Sequence, residues 1–253
     1  MTTSLLNSLL RALLRWGAAL VFCLPLRHRS HFWARACGML FPLLLLAQLL
    51  DPLAQSTTLW QQQLLLLALY ISFFALLGGM IYLCTDINKK GAMYCAVWSL
   101  LIAQCAYEGW CFLELQFARY GHPLNMASPW AVLVQLLSGA VFFAAVYLLL
   151  ARQLPYKGEY HIGPRQLFSA FFIGILFMVQ AAVLDNFRAE QFPRSVIATI
   201  LIGQFYFITL LYFQSELFKK SAMEKEMNAL NLLYERQRQQ YQVARQNVQI
   251  INK

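Results

Sequence analysis

The chain has 253 residues, of which 60% are hydrophobic and only 12% charged, against roughly 45–50% and about 25% in an ordinary soluble domain. Too little polar sequence remains to cover a soluble core of that size, and every long stretch can bury apolar area, so both a soluble globule and bulk disorder are excluded. The net charge of +9 does not point to nucleic acid, because Lys and Arg fall in short clusters between apolar runs and form no basic stripe with interleaved aromatics. The composition is that of an all-α integral membrane protein.

A bilayer core of ~30 Å needs about 20 mostly apolar residues in a helix. Taken in chain order, seven stretches qualify, at about 5–26, 36–55, 64–84, 92–117, 130–151, 167–185 and 195–215. Turn and charge signals separate them: Arg27, His28 and Arg29, then Asp86 to Gly91, Gly121 to Pro123, Pro155 to Pro164, and Asp185 to Pro193. Arg11 and Arg15 interrupt the first stretch. It either crosses with both arginines snorkelling outward or lies in the interface as an amphipathic helix; crossing is the favoured reading, and the expectation is six to seven transmembrane helices. The six cysteines, nearly all inside apolar runs and without a CxxC pair, read as small polarisable packing residues. No metal or cofactor is expected.

Charge asymmetry sets an expected orientation. With residues after 215 in the cytoplasm, the inner loops receive Arg27, Arg29, Arg35, Lys89, Lys90, Arg152, Lys157 and Arg165, and the outer loops Arg119, Arg188 and Arg194, eight against three. Seven crossings put the N-terminus outside. Under that orientation Asp51, Glu108, Glu114 and Asp185 all stand toward the outer half of the membrane. Gln104 shares a helical face with Glu108 at i, i+4, Gln48, Gln180 and Gln204 reach a similar level, and Arg119 and Arg188 border it. Acids inside a span are costly and are functional candidates by default. Gln104, Glu108, Glu114, Asp51 and Asp185 are therefore the candidate signal-sensing residues, for a small cationic or peptide signal. Helix–helix hydrogen bonding is the plain alternative. Gly78, Gly79 and the Ala170/Gly174 pair mark possible close helix contacts, and Trp60, Trp110, Trp130 and Tyr206 read as anchors or packing residues.

After Gln214 the character changes. Residues 216–253 hold eleven charges and no Pro or Gly, so the last membrane helix is free to continue into a cytoplasmic signalling helix. Met223, Met227, Leu230, Tyr234, Gln237, Tyr241, Ala244, Val248 and Ile251 recur with alternating steps of four and three. This is a heptad seam, with Met227, Tyr234, Tyr241 and Val248 at a, and Leu230, Gln237, Ala244 and Ile251 at d. A period of 3.5 closes onto a partner helix, which makes a parallel homodimer the expected assembly. The seam is still in phase at the last residues, so the sequence reads as cut within this helix.

The string LNLLYERQRQQYQVARQNVQIINK, coming after a multi-span block, resembles the membrane-and-linker half of peptide-quorum-sensing-type sensor histidine kinases of the GHKL class. That resemblance implies a His-containing phosphoacceptor segment and an ATPase domain after the linker, with a response regulator reached only through them. No His stands after His161, so residues 1–253 contain no phosphoacceptor of this kind and no catalytic residues are assigned. The competing readings are a scaffold or receptor that recruits a separate effector through its coiled coil, a transporter and an intramembrane enzyme; no paired broken helices and no clustered His, Asp or Glu favour the last two.

Overall fold

The computed structural model describes residues 2–55, 59–119, 128–153, 163–187 and 194–251. The described elements are seven α-helices and one short 3-10 turn. They are α1 (Thr2–Cys23), α2 (Phe32–Gln55), α3 (Leu59–Cys84), α4 (Lys89–Arg119), α5 (Pro129–Leu149), α6 (Pro164–Phe187) and α7 (Arg194–Ile251), with the 3-10 turn (Ala151–Gln153) after α5. Five of the helices are long and apolar enough to cross a membrane: α1, α2, α3, α4 and α5. A shorter apolar run, Pro164–Gln180, lies in α6. The chain divides into two compact units, Met1–Leu211 and Tyr212–Lys253.

Local chemistry explains where the helices begin and stop. Pro25 disfavours a helical Leu24, and α1 ends at Cys23. Asn88 caps α4: its side-chain oxygen accepts from the Gly91 backbone N–H at 2.7 Å. The chain enters α5 through Ser128 in an extended conformation with Pro129 at the first helical position. At the start of α6, Gln166 reaches back to accept from the Gly163 N–H at 2.8 Å, the arrangement of half a capping box.

In the first unit, α1 packs against α2, α3, α4 and α5, and α4 packs against α1, α3, α5 and α6. These two helices form the centre. From Tyr94 to Ala106 every α4 side chain is buried. The outer faces of α2, α5 and α6 instead expose Phe41, Leu45, Leu137, Val141, Phe168 and Phe172. An apolar exterior around a buried core is what a lipid solvent permits.

Helix approach depends on small residues, as expected where lipid removes the hydrophobic drive between helices. Gly139 faces Leu14, with 3.2 Å between the Leu methyl and the position a β-carbon would take, and Gly17 faces the Phe143 ring at 2.9 Å. Those two glycines seat α5 on α1. Gly174 meets Val97 in the same way at 3.3 Å, joining α6 to α4, and Gly78 meets Ala96 at 3.6 Å. On α1 itself, Ser8, Ala12, Arg15, Ala19 and Phe22 are buried at steps of four and three. That stripe is what packs α1 into the bundle. Trp16 also donates to the Ala36 carbonyl of α2 at 2.7 Å.

At one end of the bundle, the α1–α2 loop is clasped to the α3–α4 loop. Arg29 N–H donates to the Cys84 carbonyl at 3.0 Å and Asp86 N–H to the Arg27 carbonyl at 2.9 Å, flanking a single bridge between His28 and Thr85. The Arg35 guanidinium caps α3 by donating to the Leu83 carbonyl at 2.8 Å. This end carries Arg27, Arg29, Arg35, Lys89 and Lys90 together.

Candidate functional site

The polar centre of the bundle is built on α4. One helical turn separates Gln104 from Glu108, so both project from one face, and the Gln104 amide donates to the Glu108 carboxylate at 2.9 Å. Both are buried, Glu108 being 4% exposed. A carboxylate withdrawn that far from water requires hydrogen-bond donors or an opposite charge.

Opposite charge stands on α1. Arg15 is 8% exposed, and its guanidinium lies over the Phe73 ring of α3 at 3.9 Å, a cation–π contact in a desolvated setting. One turn earlier, Arg11 donates to the Tyr107 hydroxyl at 3.0 Å and lies over the same ring at 5.1 Å. Two contacts fix the register between these helices: Arg11 with Tyr107 near one end, and Phe22 against Trp98 at 6.2 Å nearer the other. α1 and α4 are therefore antiparallel. Interpolating between the two contacts brings Arg15 within about one turn of Gln104 and Glu108.

α1 is long and apolar enough to cross a membrane, in keeping with the favoured reading, but its Arg15 guanidinium does not point outward: it is buried in the bundle, whereas Arg11 is half-buried. The reason is local: Ala12, Ala18 and Ala19 leave room beside the helix, and an aromatic face together with the acid-bearing turn of α4 offers the cation better company than hydrocarbon.

Of the remaining candidates, one is placed apart from this centre. Glu114 stands six positions beyond Glu108 on α4, on a different helical face, and is half-buried. Asp51 and Asp185 belong to α2 and α6, but their side chains lie outside the described residues, as do those of Arg119, Arg188 and Gln204. Gln48 and Gln180 are half-buried.

Polar residues not singled out in the sequence also enter the core. Ser8 of α1 and Gln135 of α5 are buried. The Gln135 side-chain oxygen has no hydrogen-bond donor among the described residues. The signal for Ser8 and Arg15 was available in the small-and-polar stripe of α1. Gln135 carried no such signal, because a lone Gln in an apolar helix does not show which way it points. No group of three or more His, Cys, Asp or Glu among the described residues could hold a metal ion.

The second unit has the opposite character. Its described seam side chains, Met223, Met227, Leu230, Tyr234, Gln237, Tyr241 and Ala244, are all exposed, Met227 and Leu230 at 64% and Tyr241 at 72%. Leu232 and Leu233 are exposed beside them, while Val248 and Ile251 have side chains outside the described residues. No protein-family model, curated protein or solved structure matches this chain.

Proposed function

We propose that the chain is the membrane sensor module of a two-component histidine kinase. In this reading it sits in the bacterial plasma membrane through six or seven spans, with its N-terminus outside and residues 216–253 in the cytoplasm. A signal met outside or within the membrane alters helix packing around the Gln104–Glu108 turn. The change passes along α7 to a parallel coiled-coil dimer, and phosphotransfer to a response regulator belongs to catalytic segments that residues 1–253 do not contain.

The observation that carries this reading is α7. It is one helix from Arg194 to Ile251, apolar in its first part and then polar with an exposed seam at 3.5-residue spacing. A helix of that kind is a mechanical output: rotation or a register shift at one end is felt at the other. Supporting it, the central polar cluster offers two helices held by directional bonds, which favour discrete packings over gradual deformation.

The second reading, a scaffold that recruits an effector through the same seam, shares the dimer and differs in the effector the dimer serves. Single-cysteine variants of the full chain in membranes test the shared part. Disulfide formation at Leu230→Cys and Gln237→Cys is expected to exceed that at Leu232→Cys and Gln239→Cys, which stand opposite the seam. Equal crosslinking at all four, or none beyond that of the parent chain, overturns the parallel dimer and both readings with it. Adding a kinase core in phase after Lys253 then separates them, since a sensor module changes autophosphorylation when Gln104 or Glu108 is substituted and a scaffold does not.

A further inference from the structure

The basic end of the bundle carries more positive charge than the fold uses. Leu14 faces Gly139 and Gly17 faces Phe143, so α5 runs parallel to α1 and ends beside it. Arg152, in the 3-10 turn after α5, therefore joins Arg27, Arg29, Arg35, Lys89 and Lys90. Among the described residues, Asp86 is the one acid at this end. Arg29 lies over the Tyr82 ring and near Asp86, and Arg35 donates to the Leu83 carbonyl. Arg27, Lys89, Lys90 and Arg152 are exposed, without an ion-pair partner among the described residues.

Helix dipoles do not account for these cations. α1, α3 and α5 close at this end with no basic residue in the last turn, where one would be favoured. Lys89 and Lys90 instead open α4, whose first turn has no acid, and add to a field that is already positive. The clasp gathers them with Arg27. The Asp86 N–H donates to the Arg27 carbonyl, and Lys89 follows Asp86 by three residues, a path of at most ~11 Å. Long cationic side chains span such a separation onto one phosphate. Apolar side chains facing outward stand beside them: Met93, 43% exposed, is one turn along from Lys89 and Lys90, and Trp33, 60% exposed, is in the first turn of α2. An exposed indole at the level of the cations is a placement that a membrane interface favours.

We propose that this end binds the headgroup phosphate of an anionic phospholipid through Arg27, Lys89 and Lys90, with Trp33 and Met93 against its apolar part. The proposal stands apart from the reading of α7. Charge complementarity selects an anion, and the neighbouring apolar side chains select one that carries acyl chains. A soluble phosphate would leave Trp33 and Met93 uncovered. A zwitterionic lipid brings its own cation into a patch that already has an excess.

The test uses the full chain in phosphatidylcholine vesicles containing a trace of phosphatidylglycerol with a photoactivatable group near its glycerol, and adducts are located by mass spectrometry. Adducts are expected in 24–35 and 83–93, in excess over those of a phosphatidylcholine probe of the same design. Arg27→Gln with Lys89→Gln and Lys90→Gln should reduce them by about tenfold or more, because each cation near a membrane surface contributes about fivefold. Lys89→Arg with Lys90→Arg should retain them. Arg236→Gln with Arg238→Gln and Arg245→Gln, which removes the same charge from the second unit, should leave them unchanged. In the parent chain, 1 M salt should abolish the preference for phosphatidylglycerol, since exposed charges are then screened. Equal labelling by the two lipid probes, or equal loss in both triple variants, overturns the site and leaves only a net-charge effect. Displacement of the label by glycerol phosphate, where potassium chloride of equal ionic strength displaces none, overturns the lipid and assigns the patch to a soluble phosphate.

Discussion

Residues 1–211 and 212–253 break the usual placement of side chains in opposite directions. The first unit hides polar groups among apolar ones: Ser8, Arg15, Gln104, Glu108 and Gln135 are buried. The second shows apolar groups among polar ones, with Met227, Leu230, Tyr234 and Tyr241 exposed. Each inversion requires a partner. In the first unit several partners are in place, since Gln104 bonds Glu108 and Arg11 bonds Tyr107, although the Gln135 side-chain oxygen has none among the described residues. In the second the seam finds none among the described residues, and a narrow apolar stripe at 3.5-residue spacing is the form that a second helix covers. Internal compensation fixes a fold, whereas external compensation leaves an interface.

The strongest way to break this contrast is to remove compensation inside the first unit. Arg15→Leu or Glu108→Leu alone is expected to destabilise the bundle by ~3–5 kcal/mol, the usual cost of stranding one buried charge. Arg15→Leu with Glu108→Leu should recover most of that loss, because two apolar side chains then replace two ions. Unfolding in mild detergent measures all three. Additive losses in the double variant would show that the two groups compensate separately, through Phe73 and Gln104, and are not coupled across the α1–α4 contact. Glu108→Gln, which keeps a hydrogen-bonding oxygen toward Gln104, should cost less than Glu108→Leu.

Legibility in the sequence differs between the parts of the molecule. The all-helical, membrane-spanning character was readable from apolar run length, since the bilayer sets a length scale that sequence displays directly, but five described helices reach that length against the six or seven expected. Gln104 and Glu108 were found for the same kind of reason: an i, i+4 pair is local, so one helix suffices to bring it together. Arg15 was visible but misplaced. Its depth depends on Phe73 and on the antiparallel register of α1 with α4, which are tertiary facts that no window of α1 contains. The glycine contacts were half legible, for Gly78 and Gly174 were marked, whereas Gly17 and Gly139 gained meaning only once Phe143 and Leu14 were seen opposite them.

The second unit makes the reverse prediction. Leu230→Gln together with Tyr234→Gln should leave the melting of residues 1–211 unchanged, since both side chains are already exposed. In the proposed dimer each apolar seam residue would be worth ~1.5–3 kcal/mol when buried, so crosslinking at Gln237→Cys should fall by about tenfold or more. Loss of bundle stability in that variant would show that the seam packs on its own chain and that both regions are compensated internally.

Smaller effects sharpen the packing side of the contrast. Gly17→Ala places a β-carbon 2.9 Å from the Phe143 ring, and the ring must shift, at ~1–3 kcal/mol for overpacking. Gly38→Ala on α2 meets nothing within 4 Å and should be neutral or stabilising by up to ~1 kcal/mol through helix propensity alone. The pair of variants, compared by thermal unfolding in one lipid composition, separates steric contact from propensity. Equal responses would mean that α1 and α5 do not meet through Gly17.

The smallest effect is expected at the clasp between the α1–α2 and α3–α4 loops, where an ion pair looks more important than it is. Arg29 and Asp86 approach to 3.9 Å, but Asp86 is 59% exposed, and pairs so open to water contribute ~0–1 kcal/mol. The clasp is held instead by two backbone hydrogen bonds, by Arg29 lying over the Tyr82 ring at 4.9 Å, and by Arg35 on the α3 carboxyl end. Asp86→Asn should therefore shift the unfolding midpoint very little, and raising salt should not change that. Arg35→Ala leaves the Leu83 carbonyl of α3 without this donor and should cost more, about 1 kcal/mol. If Asp86→Asn proved the more damaging of the two, the clasp would be electrostatic, and the stability of the basic end of the bundle would depend on ionic strength, which backbone hydrogen bonds alone would not produce.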